Sequence, residues 1–341
     1  MIASLLVLGL SVCLTSCGLA GATRNRLLKT VGINSHVSVA AFTPDGKIVA
    51  TVDRTNLASG SYAISAWQTD DGRLRYSTDK YGVYYLTVSR DGQMLAAACD
   101  DGVRLFRISD GHLLQTFKGN QVFTAAFSPD DETLASGGAE GEVRVWRVND
   151  GHLVHVYSAK RWITSLAFSA DGQLLAAGTG SDIGFVRREE ASSDSNPILL
   201  WRIGQNNPLS PLGGHKYGVL TLSFKSDGQT LASGGSDGFV RLWRLGNGTL
   251  LKSQRIDGDP NKIASDHQFV IEQVSFSPDG ELLAVVTNDK ILLLEPNNLA
   301  LITTLKGHTK SILGVAFIRD EPTLVSASED STVRFWRLRD D

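Results

Sequence analysis

Short apolar segments, alternating or continuous, recur along the chain and are separated by polar turns. VLTLSF (219–224) and QTLASGG (229–235) flank Ser226-Asp227-Gly228. The same arrangement surrounds Pro44-Asp45-Gly46, Arg90-Asp91-Gly92, Pro129-Asp130-Asp131, Ala170-Asp171-Gly172, Pro278-Asp279-Gly280 and Arg319-Asp320-Glu321. Asp-Gly between such runs signals a hairpin, because glycine supplies the positive φ that tight turns require. Seven turns of this kind predict seven repeats built of strands.

A second ruler agrees with the first. Five of the six tryptophans, Trp67, Trp146, Trp201, Trp243 and Trp336, close near-copies of one pattern, as in LASGGSDGFVRLW (231–243) and LVSASEDSTVRFW (324–336). Self-similarity at a period of about 40 residues marks a repeat architecture, in which each unit buries its apolar face against its neighbours.

In the fifth repeat Gly214-His215, Ser233, Asp237 and Trp243 stand at fixed offsets, and in the seventh Gly307-His308, Ser326, Asp330 and Trp336 repeat them. On these residues the chain resembles the WD-repeat β-propeller family from about residue 27 to its end. The pattern decays elsewhere: the third repeat has Glu140 for the Asp, the second Phe106 for the Trp and the sixth Leu294. The family's naming dipeptide is Trp-Arg in four repeats and Trp67-Gln68 in the first. The resemblance implies an all-β, seven-bladed propeller of four-stranded antiparallel blades.

Ring closure is also legible. LLQTF (113–117), LVHVY (153–157) and LITTL (301–305) follow their repeats as outer strands, whereas the seventh repeat runs into Trp336-Arg337-Leu338 without one. Leu27-Leu28-Lys29-Thr30-Val31 is therefore expected to complete the last blade, joining the ends of the ring and removing exposed edges.

Composition fits one large domain: 341 residues, 42% hydrophobic, with a net charge of −3 that argues against broad nucleic-acid binding. The first sixteen residues, MIASLLVLGLSVCLTS, are uncharged and apolar over too short a span to cross a bilayer comfortably. Leu14-Thr15-Ser16-Cys17 resembles the bacterial lipobox, which implies acylation of Cys17. Residues 1–16 then read as a lipoprotein-type signal peptide, 17–26 as a short linker and 27–341 as the propeller. The expected location is a membrane surface on the extracytoplasmic side. The lack of Lys or Arg before the apolar run, with Arg24 and Arg26 after it, runs against export, so a cytoplasmic location stays open. Cys13, Cys17 and Cys99 show neither a disulfide framework nor metal spacing, and no cofactor motif appears.

His215, Ser233 and Asp237, and again His308, Ser326 and Asp330, have the residue types of a hydrolase triad. Their recurrence in phase with the repeat, together with Trp243 and Trp336, marks them instead as blade networks. His112 and His152, which follow Asp-Gly at equivalent positions, read as solvated turns.

What remains after subtracting the repeat lies on one face. The connections before the first strand and between the second and third emerge together, and the long insertions 54–62, 181–197 and 257–268 all fall there. Trp162, out of phase with the other tryptophans, enters blade four behind Arg161, and equivalent entries bring Tyr81, Tyr217, Phe269 and Lys310. Aromatics beside Arg are the usual material of interface hot spots. The expected function is a non-enzymatic, lipid-anchored interaction scaffold that binds a protein or peptide through this face. The alternative is a hydrolase or lyase with its substrate in the central channel.

Overall fold

The computed structural model describes residues 26–33, 37–53, 62–180, 196–256 and 270–338. The leader with Cys17, the bulk of the three insertions and Phe269 lie outside the described residues. Strand β1 (Leu27–Gly32) precedes blade one, β2–β5 (Val37–Phe42, Ile48–Asp53, Tyr62–Gln68, Leu74–Tyr81). Blade two is β6–β9 (Val83–Val88, Met94–Cys99, Gly102–Arg107, Leu113–Lys118) and blade three β10–β13 (Val122–Phe127, Thr133–Gly138, Glu142–Arg147, Leu153–Ser158). Blade four is β14–β17 (Trp162–Phe168, Leu174–Gly180, Asn196–Arg202, Leu212–His215) and blade five β18–β21 (Val219–Phe224, Thr230–Gly235, Phe239–Arg244, Thr249–Arg255). Blade six is β22–β25 (Gln273–Phe276, Leu283–Thr287, Lys290–Leu294, Leu301–Lys306), and β26–β28 (Ile312–Phe317, Thr323–Ser328, Thr332–Arg337) begin the last.

Each blade is a four-stranded antiparallel sheet, and the seventh runs β26-β27-β28-β1. β1 pairs antiparallel with β28, Val31 opposite Val333 and Leu27 opposite Trp336, so the expected closure is the observed one. The hairpin turns follow from their sequence: Gly46, Gly92, Gly172, Gly228 and Gly280 take φ of 65° to 74°. In the two turns that lack glycine, Asp131 takes φ 59° and Asp320 φ 64°, a region that Asp tolerates better than most residues.

Apolar residues fill the gaps between blades. Seven clusters of buried side chains occupy seven gaps, each drawing on two neighbours: Ile64 with Leu86 and Phe106 joins blades one and two, and Val37 with Val325 and Val333 joins one and seven. The first strands adjoin around the channel, and side chains there satisfy the backbone of the next blade. Thr164 and Ser165 donate to the Val219 carbonyl (2.6 and 2.9 Å), and Thr221 Oγ1 accepts from Val274 N (3.0 Å). Gln273 grips Val315 at both ends, accepting from its N–H at 2.8 Å and donating to its carbonyl at 3.1 Å. An inner strand edge would otherwise carry unpaired polar backbone.

The closing tryptophans donate their indole N–H into the neighbouring strand: Trp67 to Thr51 (2.8 Å), Trp146 to Ser136 (2.9 Å), Trp243 to Ser233 (2.9 Å) and Trp336 to Ser326 (2.8 Å). Blades two and six close with Phe106 and Leu294, which have no donor, and carry Ala97 and Val285 where the acceptor would stand. Blade four breaks this correspondence. Trp201 pairs with Leu175 as its counterparts do, but the acceptor position is Ala177, and among the described residues its buried N–H finds no partner. Stacking by Tyr157, with ring centroids 5.2 Å apart, holds the ring in place. An unpaired buried donor carries a desolvation cost that one hydroxyl can remove. Ala177→Ser is therefore expected to raise stability by about 1 kcal/mol, read as a higher urea midpoint at unchanged m-value. A lower midpoint would show that the indole N–H is not what limits this blade.

Candidate functional site

Antiparallel order puts the connections before each first strand, and between each second and third strand, on one face. The ends flanking the insertions, Asp53 and Tyr62, Gly180 and Asn196, and Ile256 and Val270, all open there. The opposite face carries the short hairpin turns.

Trp162 does not lie in a loop as expected. It opens β14, because the ladder with β15 extends as far as the Trp162–Gly180 pair. Half-buried, it meets Phe123 of blade three edge to face at 5.7 Å, and Phe123 meets Tyr84 of blade two in the same manner at 5.3 Å. The Tyr84 hydroxyl donates to Asp100 Oδ1 at 2.6 Å. Burial, reinforced by this hydrogen bond, pushes the phenol up to about 12. An aromatic arc thus spans three blades, braced at one end by a carboxylate. Sequence reasoning missed Tyr84 and Phe123 because they follow Val83 and Val122 inside runs that read as core.

The other expected face residues stand apart. Tyr81 ends β5, packs on Phe106 at 6.0 Å and lies under the Arg104 guanidinium at 4.3 Å, which Asp101 holds through two hydrogen bonds. Tyr217 is half-buried, with Lys216 Nζ 5.3 Å from its ring. Lys310 is exposed at the entry to blade seven, and its carbonyl accepts from Ser328. Arg161 is half-buried beside Trp162. Among the five that are described only Arg161 and Trp162 are adjacent in the chain, so these residues mark a face rather than a single constellation.

In blades five and seven the polar set converges. His215 lies 3.0 Å from Asp237 through Nδ1 and 2.8 Å from Ser233 through Nε2; His308 lies 2.9 Å from Asp330 and 2.7 Å from Ser326. One proton arrangement serves every member: indole N–H to Ser Oγ, Ser O–H to His Nε2, His Nδ1–H to the carboxylate. The hydroxyl of each Ser is already committed to Trp and His, and Ser233, Ser326, His215 and His308 are all buried. No substrate reaches them. Burial lowers the pKa of His215 and of His308 below 6.5 against the pull of their Asp partners. Burial raises Asp237, but its bond to His215 and the Arg241 charge outweigh that and leave the carboxyl below its ordinary value. Asp330 ends low for similar reasons, with Thr332 and His308 as its donors.

Seven radial four-stranded blades, four of them anchored by a tryptophan hydrogen bond, define a repeat β-propeller. Residues 111–147, 151–182, 206–244 and 299–337 match the family model described as "WD domain, G-beta repeat", which supports the WD-repeat family for this seven-bladed ring. The chain is similar to Protein HIR1 of Kluyveromyces lactis, 23% identical over 227 residues that cover 64% of this chain and 22% of that protein. Periodic tryptophan protein 2 of Arabidopsis thaliana is 26% identical over 237 residues, covering 67% and 24%. Protein SPA1-RELATED 4 of Arabidopsis thaliana is 29% identical over 159 residues, covering 45% and 18%. The chain spans less than a quarter of the length of each of these relatives.

The networks set an acid limit on the fold. Both His and both Asp bind protons more readily when unfolded, so their contribution is complete above the free-imidazole value of 6.5 and is lost as pH falls through the lowered folded values. The urea midpoint is expected to fall steadily below pH 6.5, and His308→Ala to be less stable throughout but with a shallower acid slope. A midpoint independent of pH across this range would contradict the neutral-imidazole arrangement.

Proposed function

We propose that this chain is a non-enzymatic interaction scaffold that binds a protein or peptide through the insertion face. The observation that carries this reading is the contrast between two sets of residues. The His–Asp pairs that could do chemistry are buried, committed and repeated in phase with the fold. The aromatic arc at the insertion face is made of residue types that the other blades do not repeat, and one long connection leaves from Gly180, the ladder partner of Trp162. A net charge of −3 favours a polypeptide partner over nucleic acid. The lipobox-like Leu14-Thr15-Ser16-Cys17 supports acylation at Cys17 and residence at an extracytoplasmic membrane surface, where more than one acyl chain is needed for stable anchoring.

Affinity capture from native membranes, comparing the intact protein with Trp162→Ala, tests the binding face. A partner retained by the intact form and lost by the variant is the expected result; an identical set from both would remove this face from consideration. Cys17→Ser is expected to move the protein from the membrane to the soluble fraction, and unchanged membrane retention would end the lipoprotein reading.

A further inference from the structure

The hairpin face, opposite the insertions, carries a cleft of about 330 Å³ where blades seven, one and two meet. Three arginines line it, one from each blade. Arg319 lies in the hairpin turn of blade seven, Arg75 on the outer strand of blade one and Arg90 in the hairpin turn of blade two.

The other blades show what packing alone asks of these positions. Where blades two and seven have Arg90 and Arg319, the rest carry Pro44, Pro129, Ala170, Ser226 and Pro278. Strand register places Arg75 one residue beyond the partner of the closing residue, and the same place holds Leu28, Leu114, Val154, Leu251 and Ile302 elsewhere. The fold therefore needs arginine at neither position. It appears only on three consecutive blades, and there the side chains share one cleft.

These arginines are also engaged differently from others on the same face. Arg107 and Arg147 hold Asp110 and Asp150 at 2.8 Å. Arg75, Arg90 and Arg319 each donate instead to a carbonyl, that of Ser109 (3.3 Å), Pro129 (3.5 Å) and Arg90 (2.8 Å). Among the described residues none of the three forms an ion pair, and each keeps most of its N–H donors uncommitted. Their backbone is braced as well. Arg319 N donates to the Pro44 carbonyl at 2.8 Å, and Arg90 N donates to Asp131 at 2.8 Å.

Asp45, Asp91 and Asp320 line the cleft too. The first two are held by their own turns: Asp45 accepts from Thr43 Oγ1 (2.6 Å) and Lys47 N (3.0 Å), and Asp91 from Ser89 Oγ (2.6 Å) and Gln93 N (2.9 Å). The same clasp joins Ser128 to Asp130, Ser169 to Asp171 and Ser277 to Asp279, so it belongs to the fold. Asp320 differs, because Ile318 stands where the hydroxyl would, and among the described residues its carboxylate accepts no hydrogen bond. The arginines thus present donors that these turns do not use. A phosphate offers more acceptor oxygens and more charge than a carboxylate, and guanidinium forks match it bidentately. The volume is at the small end for ligand sites.

We propose that this cleft binds a phosphate group, carried by a small soluble ester or by a lipid headgroup, with Arg75, Arg90 and Arg319 as its donors. The site is independent of the insertion face.

The test is calorimetric titration of the full chain with inorganic pyrophosphate at low salt, where exposed charges are least screened. Flotation with phosphatidylcholine vesicles, with and without phosphatidic acid, forms the second arm. Saturable pyrophosphate binding is expected. It should weaken about tenfold, or about 1.4 kcal/mol, in Arg75→Leu and in Arg90→Ser. Both variants copy residue types of other blades, and Arg90→Ser keeps the N–H that Asp131 accepts, so melting temperatures should hold. Asp320→Asn should tighten binding, a gain that damage to the fold cannot mimic. Arg147→Gln, on blade three, should change nothing. Arginine-dependent flotation gained only with phosphatidic acid would assign the phosphate to a lipid, and pyrophosphate binding without it to a soluble ester. Neither response, unchanged binding in both arginine variants, or an equal loss in Arg147→Gln would each overturn the proposal.

Discussion

No blade of this protein has a core of its own. Each sheet presents two apolar faces, and the seven buried clusters lie in the gaps, half supplied by each neighbour. Stability is then a sum of interfaces that is complete only when the ring is closed. The pairing of β1 with β28 performs that closure, so a six-residue strand near one end of the chain decides whether blade seven is a finished sheet. The gap between blades seven and one is filled in the same way as the others, with Trp67, Ile318 and Val333 buried together.

The polar interior obeys the same economy of neighbours. A buried indole N–H needs an acceptor, and the acceptor's own proton needs somewhere to go. Where the chain supplies Ser, His and Asp in sequence, as in blades five and seven, the whole line is satisfied. Where it supplies an acceptor without the His, as with Trp146 and Ser136, the line is shorter. Blades two and six dispense with donor and acceptor together, leaving an apolar joint. Both solutions are physically consistent, since a polar group and its partner can be removed as a pair at small cost. Blade four keeps the donor and lacks the acceptor, which makes Trp201 the informative exception.

Much of this was legible in the sequence for a physical reason: hairpin turns and closing tryptophans use residue types that few others can replace. Asp-centred turns, five of them Asp-Gly, gave the count of blades, and Leu27 to Val31 was visible as an outer strand without a blade. The candidate site was legible only in part. Trp162 drew notice because tryptophan is rare and here out of register, but Tyr84 and Phe123 sit in apolar runs where an aromatic is ordinary. Their grouping depends on blades two, three and four being neighbours at one height, a relation between residues about 40 positions apart. Arg75, Arg90 and Arg319 were hidden for a similar reason. They come from three blades, and nothing local announces that they share a cleft.

A repeat offers its own internal comparison, and the inner strands use it. The residue just before each hairpin-opening position is Phe42, Val88, Phe127, Phe168, Phe224, Phe276 or Phe317, phenylalanine in every blade but one. Four residues earlier, near the channel mouth, the seven blades carry Ser38, Tyr84, Phe123, Thr164, Leu220, Glu272 and Leu313, with only leucine repeated. The first position is filled by what inter-blade packing requires, and packing requires the same thing seven times. The second is under no such demand, so its occupants answer to whatever meets the mouth of the channel. In a ring built from copies, function is to be sought where equivalent residues have ceased to resemble one another. The divergence here is also not random in space, for the aromatics fall on consecutive blades, and so do the arginines of the hairpin face.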